Sequence, residues 1–386
     1  MGMKTKSAID AEQVQGFLSK LFEEDLHAKR VLSLGNATLG AIEAASLSVH
    51  AIGLGLAEVR GLNSKHAIKQ VDRLLGNSGF DVWELFESWV PFVLGARQEI
   101  VAALDWTDFD ADDQSTIAMH MVTSHGRATP LVWKTVRKSK MAGWRNAHED
   151  ELIARLLEVV GPGVKVTILA DRGFGDQKLY EQLKEWKADY VIRFRGIVAV
   201  TDESGESRTA SAWTPTNGRA KLLRNARVTK DRTTVGTVVC VKAGGMKEPW
   251  CLAASSATAS ANQIVQLYSR RFTIEESFRD LKNPRFGLAL SQARVSSPAR
   301  RDRLLLIGAL AAALLTLLGA AGESLGFERL MKANTVKRRS YSLLRQGLHY
   351  YASIPAMKAE RLAPLIERFA ELVRAHSILR DLFGLL

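Results

Sequence analysis

Residues 267–282 read LYSRRFTIEESFRDLK, and the periodicity of this stretch sets what the rest of the chain must supply. At about 100° per residue on an α-helix, Tyr268, Arg271, Glu275, Arg279 and Lys282 fall within roughly an 80° arc. Leu267, Ile274, Phe278 and Leu281 fill the arc beside it, so one flank is apolar and the next carries a phenol, three cations and a carboxylate. Such a charged flank is most often a solvated surface. A lone carboxylate among Arg and Lys is a salt bridge; joined by two more carboxylates it can hold a divalent cation.

Two candidates for those carboxylates lie upstream. IVAALDWTDF (100–109) opens as a β-prone apolar run and brings Asp105 to the end of a strand. TIAMHMVTS and TPLVWKTV then alternate around His125-Gly126-Arg127 as a hairpin does. The helix-period segment NAHEDELIARLLEVV stops at Gly161-Pro162-Gly163, and the apolar strand VKVTILAD follows, ending on Asp171. Helix DQKLYEQLKEW and strand DYVIRFR complete a β-α-β order, which favours parallel pairing with Asp171 at the carboxyl end, where α/β sites gather. The acidic run Asp108 to Asp113 is a turn former rather than a calcium loop. Asp113 stands where that loop needs glycine, and Met119 where it needs glutamate.

Around this centre the texture changes by segment. Residues 1–98 read as helical, and in NSKHAIKQVDRLLGN either Asn63 or Ser64 can cap a helix exposing Lys65, His66, Lys69 and Arg73. Residues 99–195 carry the first part of an α/β core, 196–249 are polar, turn-rich and strand-prone, and 250–326 return to the core. Residues 327–386 are helical again, with basic Lys332, Lys337, Arg338, Arg339 and Arg345. The last amphipathic helix, LAPLIERFAELVRAHSILRDLF, suits packing on the core or on a second subunit. Residues 304–321 are apolar enough to approach a membrane span, but their many small residues favour a buried core helix.

The chain has 386 residues, 46% of them hydrophobic, enough for a sizeable core. Its 53 Lys and Arg against 41 Asp and Glu give a net charge of +12, which suits a polyanionic partner such as nucleic acid. Two cysteines make neither a disulfide framework nor a zinc site. No apolar signal core opens the sequence, and Lys6 stands where a myristoylation motif needs Ser or Thr. The expectation is a cytoplasmic, nucleoid-associated protein with no membrane partner. No GxSxG elbow, HExxH helix or P-loop occurs in the sequence.

The pattern YxxRxxxExxxxxxK, met at Tyr268, Arg271, Glu275 and Lys282, resembles the signature of insertion-sequence DDE transposases of the family four group. LDWTDF around Asp105, HGRATPL at 125–131, ADRGF around Asp171 and YSRRFTIEESFRDLKNPRFGL extend that resemblance over roughly residues 60 to 320, toward the branch of the tetracycline-resistance transposon's flanking element. The resemblance implies a ribonuclease H-like catalytic core interrupted by a β-rich insertion; the helical terminal regions are read from the residues, the first of them as DNA-binding because a basic helix face suits DNA phosphates. It implies that Asp105, Asp171 and Glu275 bind Mg²⁺, with Mn²⁺ able to substitute. It further implies that Tyr268, Arg271 and Lys282 contact DNA phosphates, and that Trp250 stands where a family tryptophan stacks near a flipped base. Arg279 is added by helix geometry as a DNA contact or salt-bridge partner. The implied reaction is cut-and-paste transposition on double-stranded DNA, at terminal inverted repeats and a target, by a homodimer in the synaptic complex. A nuclease or resolvase that does not join strands, and a catalytically silent DNA-binding derivative, are the alternatives.

Overall fold

The computed structural model describes residues 11–285 and 287–374. The residues read above for targeting signals (1–10) and the end of the last helix (375–386) lie outside the described residues. Five helices come first: α1 (Ala11–Phe22), α2 (Ala28–Ala44), α3 (Val49–Arg60), α4 (Ser64–Gly76) and α5 (Val82–Leu94). Asn63 is the cap of α4; its side-chain oxygen accepts from the amides of Lys65 and His66 at 3.0 and 3.4 Å.

A large mixed sheet follows. Strands β1 (Glu99–Phe109), β2 (Gln114–Met121) and β3 (Thr129–Arg137) form an antiparallel meander. Helix α6 (Arg145–Val160) leads to β4 (Lys165–Ala170), and α7 (Gln177–Glu185) to β5 (Asp189–Phe194); β1, β4 and β5 are parallel neighbours. The β-α-β reading of this region is therefore met. One expectation changes: β1 does not end at Asp105 but runs on to Phe109, because Asp105 to Phe109 pair with Ala118 to Gln114 of β2. The parallel pairing alone stops there, at Leu104 opposite Ala170.

Between β5 and the next core strand lie β6 (Ala199–Thr201), β7 (Ser207–Thr209), β8 (Lys221–Arg224), β9 (Arg227–Val228), β10 (Thr233–Thr234) and β11 (Thr237–Val241). Four of them make a small sheet in the order β10-β9-β6-β7. The other two join β12 (Trp250–Ala254), so the large sheet reads β3-β2-β1-β4-β5-β12-β11-β8. Helices α8 (Ala261–Ser269) and α9 (Phe272–Lys282) then lead to α10 (Pro298–Ser324), α11 (Leu343–Ser353) and α12 (Ala359–Arg374).

Among the described residues α10 is the one helix long and apolar enough to cross a membrane, and 94% of its apolar window is buried. A glycine on each helix explains how closely α11 approaches it: a Cβ at Gly319 of α10 would stand 1.9 Å from the Leu343 carbonyl oxygen, and one at Gly347 of α11 1.8 Å from that of Leu315. The described part of the last amphipathic helix, α12, packs on α10 and α1 through Leu365, Phe369 and Leu372. The acidic run is consumed by structure. Asp108 and Asp110 pair with Lys138, Asp113 accepts from Ser139, and Asp112 pairs with Arg301.

Candidate active site

Strand register brings the first two carboxylates together. Leu104 of β1 is opposite Ala170 of β4, so Asp105 and Asp171 are the next residues along two adjacent parallel strands. Asp171 leaves the strand into a turn, where its Oδ1 accepts from the Gly173 amide at 2.7 Å. Asp105 accepts from the Trp106 amide at 2.9 Å.

The third carboxylate arrives on a helix that differs from expectation. The stretch 267–282 is not one continuous helix: α8 stops at Ser269 and α9 starts at Phe272. Across the join the amides of Arg270, Arg271, Thr273 and Ile274 each bond to the carbonyl three residues back, a tighter winding than the α-helix. The arc computed for a single helix therefore splits. Tyr268 turns inward and is 2% exposed, whereas Glu275 in the first turn of α9 remains accessible.

Arg271, at the join and buried, links the pieces. Its Nη1 is 3.2 Å from Asp105 Oδ2, and its Nη2 donates to Glu275 Oε1. Burial pushes the Asp105 carboxyl up to about 6; Arg271 opposes that rise, and the like charges of Asp171 and Glu275 add to it. Burial alone would lower the Arg271 guanidinium, but the Tyr268 phenol and the carboxylates of Asp105 and Glu275 outweigh it and hold the group above its ordinary value.

The donor chemistry fits a hard divalent cation: all three residues offer carboxylate oxygens, and Asp171 Oδ2 and Glu275 Oε2 carry no hydrogen bond among the described residues. In this arrangement, however, no three carboxylate, histidine or cysteine side chains of the described residues stand close enough to hold one ion. Arg271 lies between Asp105 and Glu275 instead.

A family model described as the transposase DDE domain matches residues 96–314, more than half of the chain. The chain belongs to the DDE transposase family. No curated protein matches it. The match begins three residues before β1 and ends within α10, so it spans the large sheet and all three carboxylates. Family membership implies a DNA substrate.

Within this DDE domain the remaining sequence candidates have distinct settings. Tyr268 meets Trp250 edge to face, ring centroids 4.9 Å apart, and burial raises its phenol. Lys282 ends α9, donates to the Asp108 carbonyl at 2.8 Å and lies 4.4 Å from the centre of the Phe109 ring. Burial lowers its ammonium, offset in part by Asp108. Arg279 is exposed on α9 and pairs with Glu276.

Sequence reasoning missed a fourth group in the domain. Trp106 follows Asp105, so its side chain leaves the opposite face of β1. There its indole Nε1 donates to Glu149 of α6 at 2.8 Å. Glu149 also accepts from Arg145 Nε at 3.0 Å. The guanidinium of Arg145 lies 5.3 Å from the Trp106 ring centre and 6.0 Å from that of Phe174, in the turn after Asp171. The i, i+4 spacing of Arg145 and Glu149 was visible in the sequence; its position behind the carboxylates was not.

Proposed function

We propose that the chain is a cut-and-paste DNA transposase of the insertion-sequence kind, acting at terminal inverted repeats through Asp105, Asp171 and Glu275. The observation that carries the proposal is the charge imbalance around Asp105. Carboxylates from three distant segments act on one another there, and among the described residues one buried cation, Arg271, pairs with two of them. The strand run β3-β2-β1-β4-β5, three antiparallel strands followed by two parallel ones, supports a ribonuclease H-like core, with segment 196–249 as its insertion. The spacing of Tyr268, Arg271, Glu275 and Lys282 supports the family four group.

Asp105, Asp171 and Glu275 would hold Mg²⁺ or Mn²⁺. Bound there, two such ions would supply Lewis-acid stabilisation of the phosphodiester oxygens and lower the pKa of the attacking oxygen. Arg271 must release at least one carboxylate to admit them, and its planar fork is then free to take a phosphate. Lys282, held at the end of α9 against Phe109, adds a second cation for the strand. Trp250, half-buried and packed edge to face on the buried Tyr268 ring, is the aromatic on which a displaced base can stack. Water cleaves a strand at the element's end; the freed 3′ hydroxyl attacks the opposite strand to give a hairpin, which water reopens. The 3′ ends then attack target DNA. Each step exchanges one phosphodiester oxygen for another, so no covalent enzyme intermediate is needed. Two ends held together imply a homodimer on DNA.

Purified protein, Mg²⁺, labelled terminal-repeat duplex read from the DNA flanking the gene, and a target plasmid test this directly. The expected products are cleaved ends and joined plasmid, both reduced to background by Asp105→Asn, Asp171→Asn or Glu275→Gln. Cleavage with no joined product would make the protein a nuclease or resolvase. Unchanged cleavage by all three variants would refute the assigned site.

A further inference from the structure

Asp105 and Trp106 leave opposite faces of β1, so the carboxylates are approached from two sides. On one side stand Arg271 and α9. On the other the N-terminal end of α6 carries Trp144 and Arg145 at the Asp171 turn. A Cβ built on Gly173 would lie 3.0 Å from Asp171 Oδ1 and 3.8 Å from Arg145 Nη2, so both groups border the same point of the turn. Glu149, itself 5% exposed, takes the Nε of Arg145. The Nη nitrogens carry no hydrogen bond among the described residues, and the side chain is 48% exposed. Its neighbour Trp144 is 63% exposed, the most exposed tryptophan of the described residues, and Lys140 lies exposed in the same segment.

Tryptophan and arginine are enriched where a protein surface is covered by a partner, and an exposed indole next in sequence to an oriented guanidinium has that composition. The matching partner is a polyanion with aromatic faces. We propose that Trp144 and Arg145 form a strand-binding rim across the carboxylates from α9: Arg145 takes a backbone phosphate next to the reacting one, and Trp144 stacks an unpaired base of that strand. Glu149 and Trp106 act as positioning residues that aim Arg145. The inference rests on the transposase reading of the carboxylate site and adds a contact that the Tyr-Arg-Glu-Lys pattern does not contain.

Fluorescence anisotropy with a synthetic duplex, and with the same duplex carrying a short unpaired tract, tests the rim in the full chain. Arg145→Ala is expected to weaken binding to both probes and to reduce the slope of log K against log salt by about one. Trp144→Ala is expected to lose about tenfold in affinity for the probe with the unpaired tract alone, with Trp144→Phe restoring most of it. Arg145→Gln, which keeps a side chain of similar length for packing, reproduces the loss of slope if charge is the cause. Variants that bind both probes as the parent does, at unchanged melting temperature, overturn the rim. So does a loss that tracks only a fall in melting temperature. Cleavage that depends on Asp105 while both rim variants behave as the parent rejects the rim and keeps the transposase reading; absence of any Asp105-dependent cleavage rejects that reading itself.

Discussion

Arg271 and Arg301 are both buried guanidiniums facing carboxylates, and the two settings have opposite electrostatic signs. Arg301 is 0% exposed, pairs with Asp112, donates to Gln114 at 3.0 Å and lies 3.9 Å from the Phe109 ring centre. Asp112 also accepts from the Val295 amide, so this centre ties the β1–β2 turn to the segment before α10. Burial holds Arg301 below its ordinary pKa, and the opposing pull of Asp112 does not restore it. Around Arg271 the balance is reversed: the Tyr268 phenol and the carboxylates of Asp105 and Glu275 outweigh burial and raise it. Asp105 nonetheless remains pushed up to about 6. One arginine is a closed clamp; the other is too little positive charge for its surroundings. A site short of cations is what a cation-binding, phosphate-handling centre needs.

The largest expected effect lies at the clamp. Arg301→Ala leaves Asp112 facing the core without its partner and removes the stack on Phe109, which should cost about 3–5 kcal/mol. Urea denaturation measures it. A loss below about 1 kcal/mol would mean that Arg301 is no more tightly held than a surface pair, and the contrast with Arg271 would collapse.

Next comes Asp105 itself. In the folded chain it keeps its proton to about pH 6, against an ordinary 3.8. Between those values the native state binds more protons than the unfolded one, so this group's stabilisation is complete below pH 4 and is lost as pH rises through 6. Asp105→Asn escapes that loss. It should be the more stable protein at pH 8 by about 3 kcal/mol and no more stable at pH 3.5, read by thermal melts across pH. Equal stability at both pH values would show that Asp105 is not electrostatically strained.

Mg²⁺ sharpens the comparison further. At about a hundred times its dissociation constant it should stabilise the parent by about 2.7 kcal/mol. Asp171→Asn and Glu275→Gln should lose that gain in calorimetry, whereas a change at Arg279 should not. A gain that survives both substitutions would place the ion elsewhere.

Much of this centre is legible in the chain because it rests on local signals. Apolar runs closed by a turn locate β4 and Asp171, and the β-α-β order supplies the parallel neighbour. Glu275 is found by a fixed spacing. What fails is the assumption of one helix through 267–282. Nothing in the side-chain pattern announces the tight join at Arg270 and Arg271, since both residues are good helix formers and neither Gly nor Pro is present. Arg145 was hidden for another reason. Its i, i+4 partner Glu149 makes it look like an ordinary surface pair, and only the alternation of β1, with Asp105 on one face and Trp106 on the other, carries it to the carboxylates.

The smallest effect concerns Arg279, which the one-helix arc grouped with Glu275. Its side chain is 60% exposed and pairs with Glu276, which also lies 3.6 Å from Arg127, itself paired with Asp280. Glu276 therefore has a second cation nearby, and an exposed pair contributes little. Arg279→Ala should change stability by no more than about 0.5 kcal/mol. If Arg279 reaches a DNA phosphate, the same variant lowers the salt slope of end binding by about one. That slope separates its two possible roles, because a partner of Glu276 alone leaves it untouched while stability moves by the same small amount. We expect the slope to fall by less than it does in Arg145→Ala: Glu276 already neutralises Arg279, whereas among the described residues the carboxylate that holds Arg145 is Glu149, on the Nε side and not on its Nη nitrogens.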